Sequence, residues 1–296
     1  MPTLTKRATK WWTSLVLLGV AACGCQAPTI PNPNDPEDVG LVTPDVLRTN
    51  LSVLYQFLAD RVARGEITQK KADQYMAEEA EKMVRHVDIK RVPKGMVWEY
   101  ADIYRTARDW KRAREAYRLA VENAKNEDRR INDTLRLAQC AAAEGDVKEA
   151  INLAKSVMNA KPVDSAPILP GVYLEIVPMA EGKGHDGDLA DLVVQAVKKH
   201  KETVVDSKKP EGQAFLMARS YHIRKALQKA YDLYMSAGKK DKAQACLKIP
   251  VPEYLPAMPP GMSKEEFFRQ MSGGRFGVDA KQGSKGYPLP PDSGLP

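Results

Sequence analysis

Residues that could do chemistry are few and scattered. The histidines are His86, His185, His200 and His222. His86 stands two places before Asp88, but closeness in sequence sets no catalytic geometry. His185 lies in GKGHDGD (182–188), a glycine-rich stretch without the lysine–serine ending or preceding strand of a phosphate-binding loop. Asp186 and Asp188 lack the remaining ligand ladder and closing glutamate of a calcium loop. The cysteines, Cys23, Cys25, Cys140 and Cys246, form no CxxC pair and no cluster with histidine, so no zinc site is expected. No catalytic residue, metal or diffusible cofactor is assigned, and the expectation is a protein that is not an enzyme.

The basic Lys6, Arg7 and Lys10 precede an apolar run from Trp11 to Ala22. That run is shorter than the about 20 residues needed to cross a bilayer and suits the apolar region of a secretory signal peptide. It ends Val20-Ala21-Ala22-Cys23, which resembles the bacterial lipobox. The resemblance implies cleavage before Cys23, a diacylglyceryl group on its sulfur, and acylation of the new amino group by a chain such as palmitate. Cys25 fits the pattern less well. Two or more acyl chains hold a protein stably on a membrane. Gly24, where an inner-membrane retention signal would carry aspartate, favours the periplasmic side of the outer membrane. The expected location is therefore the cell envelope, with a covalent lipid on Cys23 as the one attached group.

The formal net charge is +7, and three of the basic residues fall within 1–22. The mild excess that remains suits weak contact with anionic lipid or cell wall, and nucleic acid is not an expected partner of an exported chain. Cys140 and Cys246 lie in helical contexts and read as small buried hydrophobes.

Such side chains would have to be positioned by helices, because strand patterning is nearly absent. Thr43-Pro44-Asp45 reads as a helix start, followed by Leu47, Leu51, Leu54, Tyr55, Leu58 and Val62 at helical spacing, with Gly65 closing the helix. A second helix from about Gln69 completes a hairpin. Residues 94–127 and 131–164 each read as two helices around a short turn. Ala101, Tyr104, Ala113 and Tyr117 mark the first unit; Ala138, Ala150, Gly145 and Pro162 mark the second. These stretches resemble tetratricopeptide repeats, whose period is about 34 residues. Weaker units follow at 168–200, where Pro178 predicts a broken or kinked helix, and at 211–247. The expected fold is all-α, a tetratricopeptide-like α-solenoid of antiparallel hairpins between disordered or extended ends. It divides into a signal peptide (1–22), a lipidated cysteine with a proline-rich tether (23–42), an N-terminal hairpin (43–92), helical repeats (93–249), and a proline- and glycine-rich tail with one short helix (250–296).

In the tetratricopeptide family the first helix of each repeat lines a groove. The resemblance carries that role to Trp98, Asp102 and Arg105 in one unit and to Asn132, Leu135 and Gln139 in the next. Such a surface suits an extended peptide or a helix. The function this implies is a non-enzymatic, membrane-anchored lipoprotein that binds or scaffolds another envelope protein. Two alternatives stay open: an envelope enzyme or enzyme-regulatory subunit acting on cell wall or polysaccharide, and a structural spacer. The basic runs KRARE (111–115) and KKHKE (198–202) read as solvated helix faces.

Overall fold

The computed structural model describes residues 43–254, which are all-α; the expected signal peptide, Cys23, the expected tether and nearly all of the expected tail lie outside the described residues. No described helix is long and apolar enough to cross a membrane. The helices are α1 (Pro44–Ala63), α2 (Gln69–Val84), α3 (Val97–Thr106), α4 (Trp110–Glu122), α5 (Glu127–Ala143) and α6 (Val147–Ser156). There follow an irregular helix α7 (residues 168–180), then α8 (Asp186–Glu202), α9 (Pro210–Ser236) and α10 (Lys240–Leu247). Consecutive helices pack on one another from α1 to α6 and from α7 to α10; α7 packs on α5, and α1 also reaches α3.

Local chemistry fixes the helix ends. Thr68, Asp109, Asn126 and Asp146 each accept a hydrogen bond from a backbone N–H three residues on, so α2, α4, α5 and α6 begin at a side-chain cap. The turns α1/α2, α3/α4, α5/α6 and α9/α10 share one closing device. In each, one N–H reaches back five residues and the N–H before it reaches back three. In α5/α6 these are Asp146 N to Ala141 O (2.9 Å) and Gly145 N to Ala142 O (3.1 Å). This paired bond requires a left-handed residue after the helix. Gly65, Gly145 and Gly238 supply it, but in α3/α4 it is Arg108, at φ 59°.

Small residues let the helices approach closely. Ala101, Ala113, Ala138 and Ala150 have no exposed surface, and Tyr104 and Tyr117 fill the space beside them, equally buried. The Tyr104 hydroxyl donates to the Val87 carbonyl at 2.8 Å, which ties α3 to the end of the first hairpin. Pro178 does not break the chain's helical path. The helix runs through α segments Ile168–Pro170 and Val177–Ala180 with a π-helical stretch, Gly171–Ile176, between them. The wider π turn changes the hydrogen-bond register just before the proline, whose missing N–H and ring would otherwise conflict with the regular ladder.

Cys140 and Cys246 are free and buried. Burial pushes the Cys140 thiol up to about 12. Both thiols should therefore resist a water-soluble alkylating reagent in the native protein and react once urea unfolds it. Rapid modification of Cys140 in native protein, followed by mass spectrometry, would contradict this packing.

Candidate functional site

Residues of α3, α4 and α5 meet the first hairpin around one carboxylate. Asp102 lies on α3 and is 8% exposed. It accepts from the Tyr117 hydroxyl at 2.6 Å, from Arg136 at 3.0 Å and from Arg105 at 3.4 Å; Arg48 of α1 stands 3.9 Å away. Burial pushes the Asp102 carboxyl up, but Arg136, Arg105 and the Tyr117 hydroxyl together outweigh that and hold it below the usual carboxylate range. Burial likewise pushes the Tyr117 phenol well above its ordinary value, so it stays a donor.

Arg48, Arg105, Arg136 and Asp102 line a cavity of about 330 Å³, with Ser52, Tyr55 and Met76 on its α1 and α2 sides. Three guanidinium groups thus share one lining carboxylate. Each carries five N–H donors. Arg105 donates one more bond, to Gln139 Oε1 at 3.3 Å, and its Nε is buried with no protein partner. Arg48 also lies 3.8 Å from Glu99. The Glu175 carboxylate of α7 acts on both Arg105 and Arg136, so the three guanidinium groups stand beside three acids, Asp102, Glu99 and Glu175. Their N–H donors still exceed the hydrogen bonds these acids and Gln139 accept, so the cavity is matched to an added oxygen-rich group.

Trp98 stands one turn before Asp102 on α3. The guanidinium groups of Arg48 and Arg129 both pack over its ring, at 4.5 and 3.5 Å from the centroid. Arg129 is held in turn by Asp133, through contacts of 2.9 and 2.5 Å. Asp133 has no exposed surface, and its burial raises the carboxyl despite Arg129. These residues border a second cavity, of about 220 Å³, to which Lys94 and Lys125 add positive charge.

Of the expected groove residues, the structure brings together Trp98, Asp102, Arg105 and Gln139. Asn132 and Leu135 do not join them. The Asn132 amide donates to the Asp128 carbonyl of its own helix at 2.9 Å. Leu135 is 3% exposed, and its Cδ1 lies 3.0 Å from where a Cβ on Gly171 would stand. It packs α5 against α7 and offers no surface to a ligand.

Arg48, Arg129 and Arg136 belong to the site but escaped the sequence reading, which saw Tyr117 only as a packing residue. For Arg136 a signal exists: the Asp102–Arg136 and Arg105–Gln139 contacts both span 34 residues. A step of 34 residues from Asp102, the spacing expected from the resemblance, therefore reaches Arg136. On the other face, Arg114 of the KRARE run is not a free solvated cation. It binds Glu144 and Asp146, each at 2.9 Å, and contacts Glu149, so it couples α4 to the α5/α6 turn and α6.

No protein-family model matches the chain, and no curated protein or solved structure matches it. Among the described residues, no group of three or more histidine, cysteine, aspartate or glutamate side chains could hold a metal ion.

Proposed function

We propose that this chain is a non-enzymatic lipoprotein, anchored in the cell envelope through Cys23, whose tetratricopeptide-like solenoid holds another envelope protein. The segment gripped is acidic and enters the Arg48–Arg105–Arg136 cavity. The observation that carries this reading is the donor surplus around Asp102. A carboxylate from a partner would take up guanidinium N–H groups that Asp102, Gln139 and Glu99 leave over. Trp98, on which the Arg48 guanidinium packs, helps set the position of that cation at the cavity. The lipobox at Val20–Cys23 supplies the anchor, and the outer membrane is the favoured surface.

A photocrosslinker in place of Ser52, which is exposed and lines the cavity, tests this in intact cells. The expected result is a crosslinked envelope protein whose yield falls at least about tenfold with Arg48→Glu, a loss of order 1.4 kcal/mol or more in binding. Arg48 is suited to the test because its side chain is 40% exposed, and the helical circular dichroism should not change. Equal crosslinking with and without Arg48→Glu would overturn the cavity as the grip. Separately, Cys23→Ser should move the chain from the membrane to the soluble fraction. A variant that stays on the membrane would overturn the anchor.

A further inference from the structure

A second polar cluster lies where α7, α8 and α9 meet, away from the cavity just described. His200, near the end of α8, is 2% exposed, and neither of its ring nitrogens has a protein partner. Its ring packs on Phe215, with centroids 4.8 Å apart, and stands edge-on to His222 at 6.3 Å; both partners belong to α9. His222 Nδ1 is paired with the Tyr173 hydroxyl of α7 at 2.7 Å. Arg219, one turn earlier on α9, donates to the Thr203 carbonyl at 2.8 Å, and its Nε is buried with no partner.

The charges that bear on His200 come from α9: His222 when protonated, and Arg219. From α7 the facing titratable group is Tyr173, through His222, and next to His222 on α9 is Tyr221. The turn Pro162–Ser165 contributes the Ser165 hydroxyl, which meets Thr203 Oγ1 at 2.6 Å and the Lys199 carbonyl at 3.3 Å. Lys199, on the same helix as His200, pairs with the exposed Glu202 at 3.9 Å. A proton on His200 would thus put a positive charge in an apolar pocket beside a guanidinium and a second imidazole.

We propose that His200 and His222 make the α8–α9 contact an acid-sensitive latch, closed while both imidazoles are neutral and opened by acidification of the envelope. A neutral imidazole always carries one N–H, and in the closed state that of His200 is buried without an acceptor, so at this end of the contact packing holds the ring rather than a hydrogen bond. The other end, where the Tyr234 and Ser236 hydroxyls of α9 donate to Asp191 and Asp186 of α8, stays closed. Opening gives the ring to water, where it can take a proton. Burial lowers His200 to about 4 from its ordinary 6.5, with His222 and Arg219 adding to the shift, and burial lowers His222 as well. A folded value below the unfolded one means that the open form binds more protons. The closing free energy is fully present above the ordinary value and is lost as pH falls from there toward about 4. For His200 alone, the open population should rise about 20-fold between pH 7 and pH 5, and His222 should add to it.

Hydrogen exchange on the full chain, read by mass spectrometry and corrected for intrinsic rates, tests the latch. Segments 195–202 and 203–222 should open about 20-fold more at pH 5 than at pH 7, while segments of α3 to α5 change little. His200→Leu should cut that response to a few-fold at most. A uniform change along the chain, or an undiminished response in His200→Leu, would overturn the proposal. Should His200→Leu fail to fold, the imidazole resonances of the wild-type chain decide: a folded His200 that titrates near its ordinary value overturns the latch, and one that stays neutral at pH 5 supports it. None of these readouts involves the Arg48 cavity, so the latch and the partner-binding reading fail or stand separately.

Discussion

Asp102→Ala should lower the free energy of unfolding by about 3 kcal/mol, the lower end of the cost of breaking a buried charge pair. The carboxylate receives the Tyr117 hydroxyl, which is fully buried, and two guanidinium groups whose side chains are 26% exposed. The phenol cannot reach water once the acceptor is gone, whereas the arginines partly rehydrate, and that places the effect low in the range. Asp102→Asn keeps one acceptor oxygen and should cost less, about 1–2 kcal/mol, and Tyr117→Phe about 1 kcal/mol. Because Tyr117 and Asp102 share one hydrogen bond, the double variant should lose less than the sum of the single ones. Urea unfolding at pH 7 measures all four. A loss below 1 kcal/mol in Asp102→Ala would mean that the three cations do not depend on this carboxylate. The pH dependence carries a fixed sign. The folded Asp102 carboxyl lies below its unfolded value. Its stabilisation is therefore present above the ordinary carboxylate value of about 3.9 and is lost as pH falls through the folded value. Asp102→Ala should unfold with a shallower acid dependence than the wild type.

The parts of this fold that were legible in the sequence are those set by neighbours along the chain. Gly65, Gly145 and Gly238 announce left-handed helix ends, and the alanines at helical spacing announce close-packed faces. The α3/α4 turn shows the limit. Arg108 adopts the left-handed conformation that glycine takes in the other three turns, and no residue type signals it. The candidate site was legible on one helix and illegible across helices. Asp102 and Arg105, one turn apart, are visible as a pair, but an acid among charged residues on a helix reads as a solvated face. Asp102 is buried because Arg136 arrives from the next hairpin and Arg48 from the previous one. His200 misled in the same way. Its neighbours in KKHKE are all charged, yet the helical period turns its ring inward against Phe215. Leu135 erred in the opposite direction. Its place in the repeat assigned it to a groove, but the close approach of Gly171 on α7 claims it for the core.

Gly212→Ala should destabilise the protein by about 1–3 kcal/mol, the cost of forcing an extra group into a packed site. The sign makes the test sharp. Gly212 lies within α9, at a negative φ, where helix propensity alone predicts that alanine stabilises by about 0.5–1 kcal/mol. Packing reverses this. A Cβ at Gly212 would overlap the Asp206 carbonyl oxygen, a backbone atom that no side-chain rotation can remove. The obstructing loop cannot simply swing away, because the Lys208 and Lys209 N–H groups donate to Asp206 and the Thr203 carbonyl is held by Arg219. Gly238→Ala is the control. There no atom lies within 4 Å of the new group, and the penalty, about 1 kcal/mol, comes from the left-handed backbone at φ 72°. Thermal or urea unfolding of the two variants separates the mechanisms, since only Gly212→Ala should also raise hydrogen exchange in residues 203–215. Stabilisation by Gly212→Ala would show that the loop and α9 do not pack this closely, and would remove the close contact that fixes the first turn of α9 against residues 203–209.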